Sequence, residues 1–417
     1  MKSDILNKNL LGIGSLGRIG KLNLWKQLLL DHFDGFVINL GREVGKNLEA
    51  IIHTIDTDST FGNLSHFLYG HTGKKYELEI IDRDNFEFSI NGKLVKILTK
   101  ARNPKDIPWG ENGVRLVVDC TGVFADPTAE ADKAGGALRG HLAGGAEKVI
   151  LSAPFKIKDS SAKMPEDSIM LVYGINHTDF NKSKHHVISA ASCTTTALAH
   201  MMKPLIETSE TSEIMTASMS TIHAATNTQS ILDSTPKAGT GDLRKTRSFL
   251  NNIIITSTGA AKALEKILPE IQRVGFMADS VRVPVNTSSL ITLNLTIASR
   301  LDNTGEPVVN RAFINDLYTR YADGPSKDLL VISHRQNVSA DFIGYDAAAV
   351  IEGAETHTRT GFIDITADTM KKLGLKDPHD IQIPVTHAKI FGWYDNEYGS
   401  YVNCLSRLTV HIDKSMR

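Results

Sequence analysis

The stretch LLGIGSLGRIG constrains the chain most, because Gly12, Gly14, Gly17 and Gly20 stand between an apolar run and RIGKLNLWKQLLLDHF, which reads as a helix. Glycines at this spacing let a backbone turn tightly and approach a pyrophosphate, whose charge is met by amides at the positive end of the next helix. A lone GxGxxG also fits a plain tight βα turn. The strand before it and the helix after it move the reading to a dinucleotide site. The alternation continues in GFVINL, and VRLVVDCTG, AEKVILSAP and HHVISAAS have the apolar density of strands buried on both faces of a parallel sheet. A doubly wound, Rossmann-type dinucleotide-binding domain over residues 1–190 is therefore expected.

Past that point the pattern changes. EIMTASMSTIHAAT and SLITLNLTIAS are long, β-branched and partly alternating, which suits an open sheet with helices over one face. They predict an α+β domain over residues 191–392. YGSYVNCLSRLTVHIDK reads as a terminal helix, residues 393–417, returning to the first domain. A polar stretch from Asn227 to Arg247 separates the two strand runs, and loops of that length inside compact domains are usually functional or interfacial.

Two domains also suit 417 residues. A hydrophobic content of 41% with 22% charged residues is that of a soluble globular protein, and a net charge of -1 argues against a polyanionic partner such as nucleic acid. MKSDILNKNLLGIGSLG has no basic region leading into an apolar stretch and cleavage site, and no run reaches membrane-spanning length, so a cytoplasmic protein with no membrane partner is expected. Cys120, Cys193 and Cys404 are an odd number without paired spacing, which fits a reducing compartment and neither a disulfide framework nor a thiolate metal cage. His185 and His186 would point opposite ways on a strand, and HExxH is absent, so no metal is expected.

Two positions bear on chemistry. A ribose-binding acid is expected about 20 residues past the glycines, yet VINLGRE puts Leu40 there, with Arg42 and Glu43 just beyond. Without the acid a 2′-phosphate is repelled less, and NADP stays open beside NAD. Cys193 follows the apolar HHVISAAS and opens CTTTALAHMMKPLIE, where a helix start favours thiolate. On spacing alone, a buried cysteine beside ordinary Ser and Thr caps explains the same letters.

The order and spacing of ASCTT, STIHAATNTQ, IIITSTGAAKAL, VRVPVNTSSL and GWYDNEYGS, with GRIG and DSTFG near the start, resemble the glyceraldehyde-3-phosphate dehydrogenase family over nearly the whole chain. The resemblance implies an α+β catalytic domain with an open sheet behind the Rossmann-type domain. It also implies oxidation of D-glyceraldehyde 3-phosphate to 1,3-bisphosphoglycerate, a step of glycolysis and gluconeogenesis, through a cysteine hemithioacetal and thioester. Cys193 matches the nucleophile and His223 the base. Thr226 and Arg282, with Thr228, match the pocket for the substrate phosphate. Ser192, Thr194, Thr258 and Gly259 match the site of the attacking inorganic phosphate. Gly12, Gly14, Gly17, Arg18, Ile19, Gly20, Arg102, Thr121, Ser152, Tyr394 and Asn396 match positions around NAD or NADP, with the balance toward NAD; Asn396 would fix the carboxamide and Tyr394 line its pocket. A homotetramer is implied, the polar loop after His223 reaching a neighbour's cofactor site.

Several positions depart from the pattern. Thr196 and Ala197 follow the nucleophile where Asn and a second Cys are common. Gly14 and Ser15 replace the usual Asn and Gly of the turn, Leu40 the usual Asp, and Ser400 a common Tyr. Extra length falls near residues 63–100, 155–170 and 355–386, which read as surface insertions. Erythrose 4-phosphate oxidation, or a binding relative without catalysis, would use the same motifs.

Overall fold

The structure, a computed structural model, describes residues 8–159, 161–236 and 238–417. The start of the amino-terminal stretch read above for a leader, residues 1–7, lies outside them. The chain separates into two compact units, one ending at Cys193 and taking in Tyr401–Arg417, the other Thr194–Ser400.

The first unit is built on buried strands. β1 (Leu10–Gly14) and β2 (Gly35–Asn39) are buried at every position, as their unbroken apolar runs require. A two-residue pair, β3 (Thr57–Asp58) and β4 (Gly62–Asn63), stands apart from the main sheet. β5 (Leu78–Asp82), β6 (Glu87–Ile90), β7 (Lys93–Leu98), β8 (Val114–Asp119), β9 (Lys148–Leu151), β10 (Ser168–Met170) and β11 (Val187–Ser189) complete that sheet in the order β10-β11-β9-β8-β1-β2-β7-β6-β5. Every pairing from β10 to β7 is parallel; only β6 and β5 run antiparallel at one edge. Order therefore diverges on the two sides of β1 and β8, and the crevice at the carboxyl ends of strands where order reverses is where doubly wound sheets bind ligands.

The Gly14–Arg18 turn lies at that point. Ser15 takes φ 74, the left-handed region that glycine enters without cost, and its N–H donates to Asn39 O at 2.9 Å. Gly20, one turn into the Arg18–Leu30 helix, lies so near that a Cβ there would stand 2.0 Å from Ser15 O. This close approach lets the helix seat against its own strand. Trp25 anchors the other end of the helix: it is fully buried and donates from Nε1 to Ile55 O at 2.7 Å.

The second unit carries an open mixed sheet. β12 (Ile214–His223), β13 (Ile254–Ser257), β14 (Gly275–Arg282), β15 (Ser289–Ala298), β16 (Leu330–Ser333), β17 (Ala349–Glu352), β18 (His357–Ile365) and β19 (Ile381–Tyr394) run in the order β13-β14-β12-β15-β19-β17-β16, with β18 beside β19 off that path. β12 with β14 and β16 with β17 are the parallel pairs. Burial alternates along β15, with Ile291, Leu293, Leu295 and Ile297 inward, as one covered face demands. The Cys193–Glu207 helix presses on this face: a Cβ at Gly392 would meet Met201 Sδ at 2.4 Å. Tyr318 of the Arg311–Asp323 helix secures it by donating to Met201 O at 2.7 Å.

The expected strands and helices form at their predicted places, with two adjustments. The terminal segment opens as a π-helix, Tyr398–Asn403, before its α-helix, Cys404–Met416. His185 and His186 precede β11 rather than alternating on it: Nδ1 of His185 accepts from Asn181 N at 3.0 Å, and Nδ1 of His186 meets Glu147 O at 3.1 Å. Among the described residues no cluster of three or more potential metal ligands occurs, and no helix is long and apolar enough to cross a membrane.

Because Ser15 O is backbone and cannot swing aside, Gly20→Ala should lower unfolding free energy by about 1–3 kcal/mol. A urea midpoint equal to that of the parent chain would refute the close-approach argument.

Candidate active site

In the first unit the predicted positions collect at the carboxyl ends of β1, β8, β9 and β11. No side chain caps the Arg18–Leu30 helix, whose preceding residue is the exposed Gly17, so the geometry fits a pyrophosphate held on backbone amides. The guanidinium of Arg18 turns instead to Asp58, which also takes Lys21 at 2.8 Å and the amides of Thr60 and Phe61. These donors hold the Asp58 carboxyl below the usual carboxylate range although burial, the largest influence, opposes them. Arg18 thus braces the turn through DSTFG, a link between distant segments that spacing alone does not reveal.

Leu40 follows β2 directly and carries no acid; Arg42 beyond it is exposed, and Arg102 packs against the Gly41 turn. Thr121 is oriented by Asp119, the fully buried last residue of β8: Asp119 Oδ1 accepts from Thr121 N at 2.7 Å and Thr121 Oγ1 at 2.6 Å. Its other oxygen meets His141 Nε2 at 3.1 Å, and His141 Nδ1 accepts from Trp109 Nε1 at 3.0 Å. An indole only donates, so the imidazole proton lies on Nε2, toward the carboxylate. This Trp109–His141–Asp119 chain was not foreseen; its members are spread over residues 109–141 with no local signature. Ser152, at the end of β9, bonds to Cys120, whose thiol is pushed up to about 12, chiefly by burial.

Cys193 is the first residue of its helix and partly exposed. Thr194 Oγ1 bonds Tyr394 Oη at 3.0 Å, and that phenol bonds Thr221 Oγ1 at 2.7 Å, all within the buried interior of the second unit. These hydrogen bonds tie the Cys193–Glu207 helix to β12 and β19.

His223 ends β12, and the parallel register sets it directly beside Arg282 at the end of β14. Arg282 Nη1 stands 2.6 Å from His223 Nδ1 and 3.0 Å from Ala224 O. His223 Nδ1 also lies 2.7 Å from that carbonyl. A guanidinium only donates and a carbonyl only accepts, so the two contacts at Nδ1 favour opposite tautomers of the neutral ring. Burial first, then the charge of Arg282, lowers the His223 pKa to about 4. Thr226 and Thr228 lie exposed a few residues on, their hydroxyls 2.9 Å apart. Thr258 Oγ1 accepts from Ala260 N at 3.2 Å, capping the Ala260–Ile267 helix, with Gly259 exposed beside it.

Asn396 follows β19 and is buried, its Oδ1 accepting from Ser289 Oγ at 2.9 Å. Sequence reading missed its neighbour. Asp395 takes the amides of Glu397, Tyr398 and Gly344 and the hydroxyl of Thr287, and so pins the loop that presents Asn396. Burial nonetheless raises the Asp395 pKa.

Residues 10–127 match a family model described as glyceraldehyde 3-phosphate dehydrogenase, NAD binding domain, and residues 192–377 match its C-terminal domain. The chain is 33% identical over 406 residues to glyceraldehyde-3-phosphate dehydrogenase 2 of Streptomyces avermitilis, covering 97% of this chain and 98% of that one. It is 30% identical over 403 residues to glyceraldehyde-3-phosphate dehydrogenase 1 of Bacillus cereus, covering 96% and 98%. Against glyceraldehyde-3-phosphate dehydrogenase 2 of Bacillus subtilis identity is 32% over 388 residues, covering 93% and 92%.

The depressed His223 pKa has a consequence for stability. Between about pH 6.5 and 4 the unfolded chain binds a proton at this ring that the folded chain refuses. The associated stability is complete above pH 6.5 and is lost as pH falls toward 4, by on the order of 2 kcal/mol. His223→Gln should remove that share of the acid sensitivity, read as urea midpoints at pH 7 and 4.5. Identical losses in parent and variant would contradict the assignment.

Proposed function

The chain belongs to the glyceraldehyde-3-phosphate dehydrogenase family, and we propose that it oxidises D-glyceraldehyde 3-phosphate with inorganic phosphate to 1,3-bisphosphoglycerate, using NAD or NADP. The observation that carries this reading is the pairing of His223 with Arg282 at adjoining strand ends, in a chain whose Cys193 begins a helix. Those three groups would supply a nucleophile, a hydrogen-bond donor to the substrate oxygen and a phosphate clamp. Gly12, Gly14, Gly17, Arg18, Ile19 and Gly20 would hold the cofactor's pyrophosphate, with Arg102, Thr121, Ser152 and Asn396 around the rest. The bound cofactor supplies the hydride acceptor.

Cys193 as thiolate adds to the aldehyde carbon, and the carbonyl oxygen becomes an alkoxide. We propose that His223 donates to that oxygen from Nε2, and its low pKa keeps the ring neutral at working pH. The family resemblance implies a base at this position. A donor role balances equally well, because the thiol proton has already gone to solvent before attack. The alkoxide re-forms its carbonyl as the carbon gives up a hydride, leaving a thioester on Cys193. Inorganic phosphate then attacks the acyl carbon, and the thiolate leaves. Arg282, with Thr226 and Thr228, would grip the substrate phosphate, a guanidinium being suited to two oxygens at once. Ser192, Thr258 and Gly259 would meet the attacking phosphate. We further propose a cytoplasmic homotetramer, supported by the balanced charge, the reducing-compartment cysteines and the exposed polar loop after His223.

Reduced cofactor should accumulate only when aldehyde phosphate and inorganic phosphate are both supplied, and Cys193→Ser should lose at least about 10³-fold in turnover. Full turnover without phosphate, or in the serine variant, would overturn the reaction. For His223, Gln keeps an N–H without a basic nitrogen. His223→Gln should stay within about tenfold of the parent in kcat, while His223→Ala loses on the order of 10²–10³-fold. Equal losses would return the ring to a base.

A further inference from the structure

The turn that delivers Cys193 is held from the opposite end of the chain. Ala191 takes φ 55, a left-handed conformation that disfavours alanine, and is fully buried. Its N–H donates to Ser189 Oγ at 3.1 Å, and that hydroxyl donates to Ala153 O at 2.7 Å. Its carbonyl accepts from the phenol of Tyr401 at 3.1 Å, across 210 positions of sequence. Tyr401 lies in the Tyr398–Asn403 π-helix, the entry to the terminal helix. The carbonyl of Ala191 fixes the peptide plane between Ala191 and Ser192. That plane sets where the next residue, Cys193, begins its helix.

We infer that Tyr401 is a positioning residue for the nucleophile: its phenol, by holding the carbonyl of left-handed Ala191, locks the turn that aims the Cys193 thiol. The inference rests on the reading of Cys193 as the nucleophile. Two further facts fit it. Tyr401 is 4% exposed and its phenol oxygen also bonds Ser152, so the tip of the ring has two fixed partners. Burial, first, and then the nearby Cys193 and Cys120 thiols raise its pKa well above the ordinary tyrosine value, so it remains a neutral donor throughout the working range. Nothing in the proposed chemistry needs its proton. Its contribution is geometric, and a displacement of about 1 Å at a reacting atom costs on the order of 10²-fold in rate.

The test is Tyr401→Phe, which keeps the ring and removes the donor, beside Tyr401→4-aminophenylalanine, which restores a donor at the same position. We expect Tyr401→Phe to lose about 10- to 100-fold in kcat while KM for glyceraldehyde 3-phosphate stays within about twofold, because Arg282, Thr226 and Thr228 are untouched. The 4-amino variant should recover kcat to within about threefold of the parent. A merely structural tyrosine would lower the melting temperature without this kcat-against-KM split and without rescue by the amine. Retention of kcat within twofold in Tyr401→Phe, a loss confined to KM, or absence of rescue overturns the inference. Should Tyr401→Phe not fold, the 4-amino variant decides alone: kcat within threefold of the parent supports it, and a tenfold loss overturns it. Cys193→Ser, assayed in parallel, separates the two ideas. An active serine variant removes the nucleophile reading, whereas an inactive serine variant with an unimpaired Tyr401→Phe removes only the role of Tyr401.

Discussion

The proposed chemistry depends on a backbone turn of three residues, Ala190–Ser192, because it must end a buried parallel strand and set a thiol at the first position of a helix. No regular hydrogen-bond ladder covers such a corner, so each polar group needs its own partner. Ala190 donates to Leu151 O on the neighbouring strand, Ala191 to the Ser189 hydroxyl, and the Ala191 carbonyl accepts from Tyr401. Those partners come from β9, from β11 and from the far end of the chain. Return of the terminal segment to the first unit thus holds the turn before Cys193, as well as burying the apolar face of a helix.

The second unit solves a related problem with charge. A histidine enclosed by protein and faced by a guanidinium loses its readiness to take a proton, which here moves its pKa to about 4. That guanidinium and the Ala224 carbonyl both meet the ring at Nδ1. Parallel pairing of β12 with β14 makes this possible, since residues ending adjacent parallel strands share a level.

Much of this was legible from the letters. Gly12 to Gly20 between a strand and a helix, and the dense apolar runs that became β8, β9 and β11, encode a parallel sheet through local preference and periodicity. The helix start at Cys193 and the strand that ends at His223 were readable from the runs around them. The partners were not. Asp119 with His141, Arg18 with Asp58, Asp395 beneath Asn396 and Tyr401 over Ala191 are joined by hydrogen bonds between residues lying apart in sequence or around an irregular loop, and no periodicity marks such pairs. The hydrogen bonds of Tyr394 to Thr194 and Thr221 are of the same kind, set by the packing of a helix on β19.

The sequence by itself determined the two kinds of sheet, the helix-start thiol and the glycine turn, because hydrophobic period, turn stereochemistry and helix capping act over a few residues. Tertiary structure decided the pairing of His223 with Arg282, the hydrogen bond between Thr194 and Tyr394 and the clamp on Ala191. Those depend on which donor stands within about 3 Å once water is excluded, and at that range a hydrogen bond's sign and direction are set by neighbours the chain supplies only after folding.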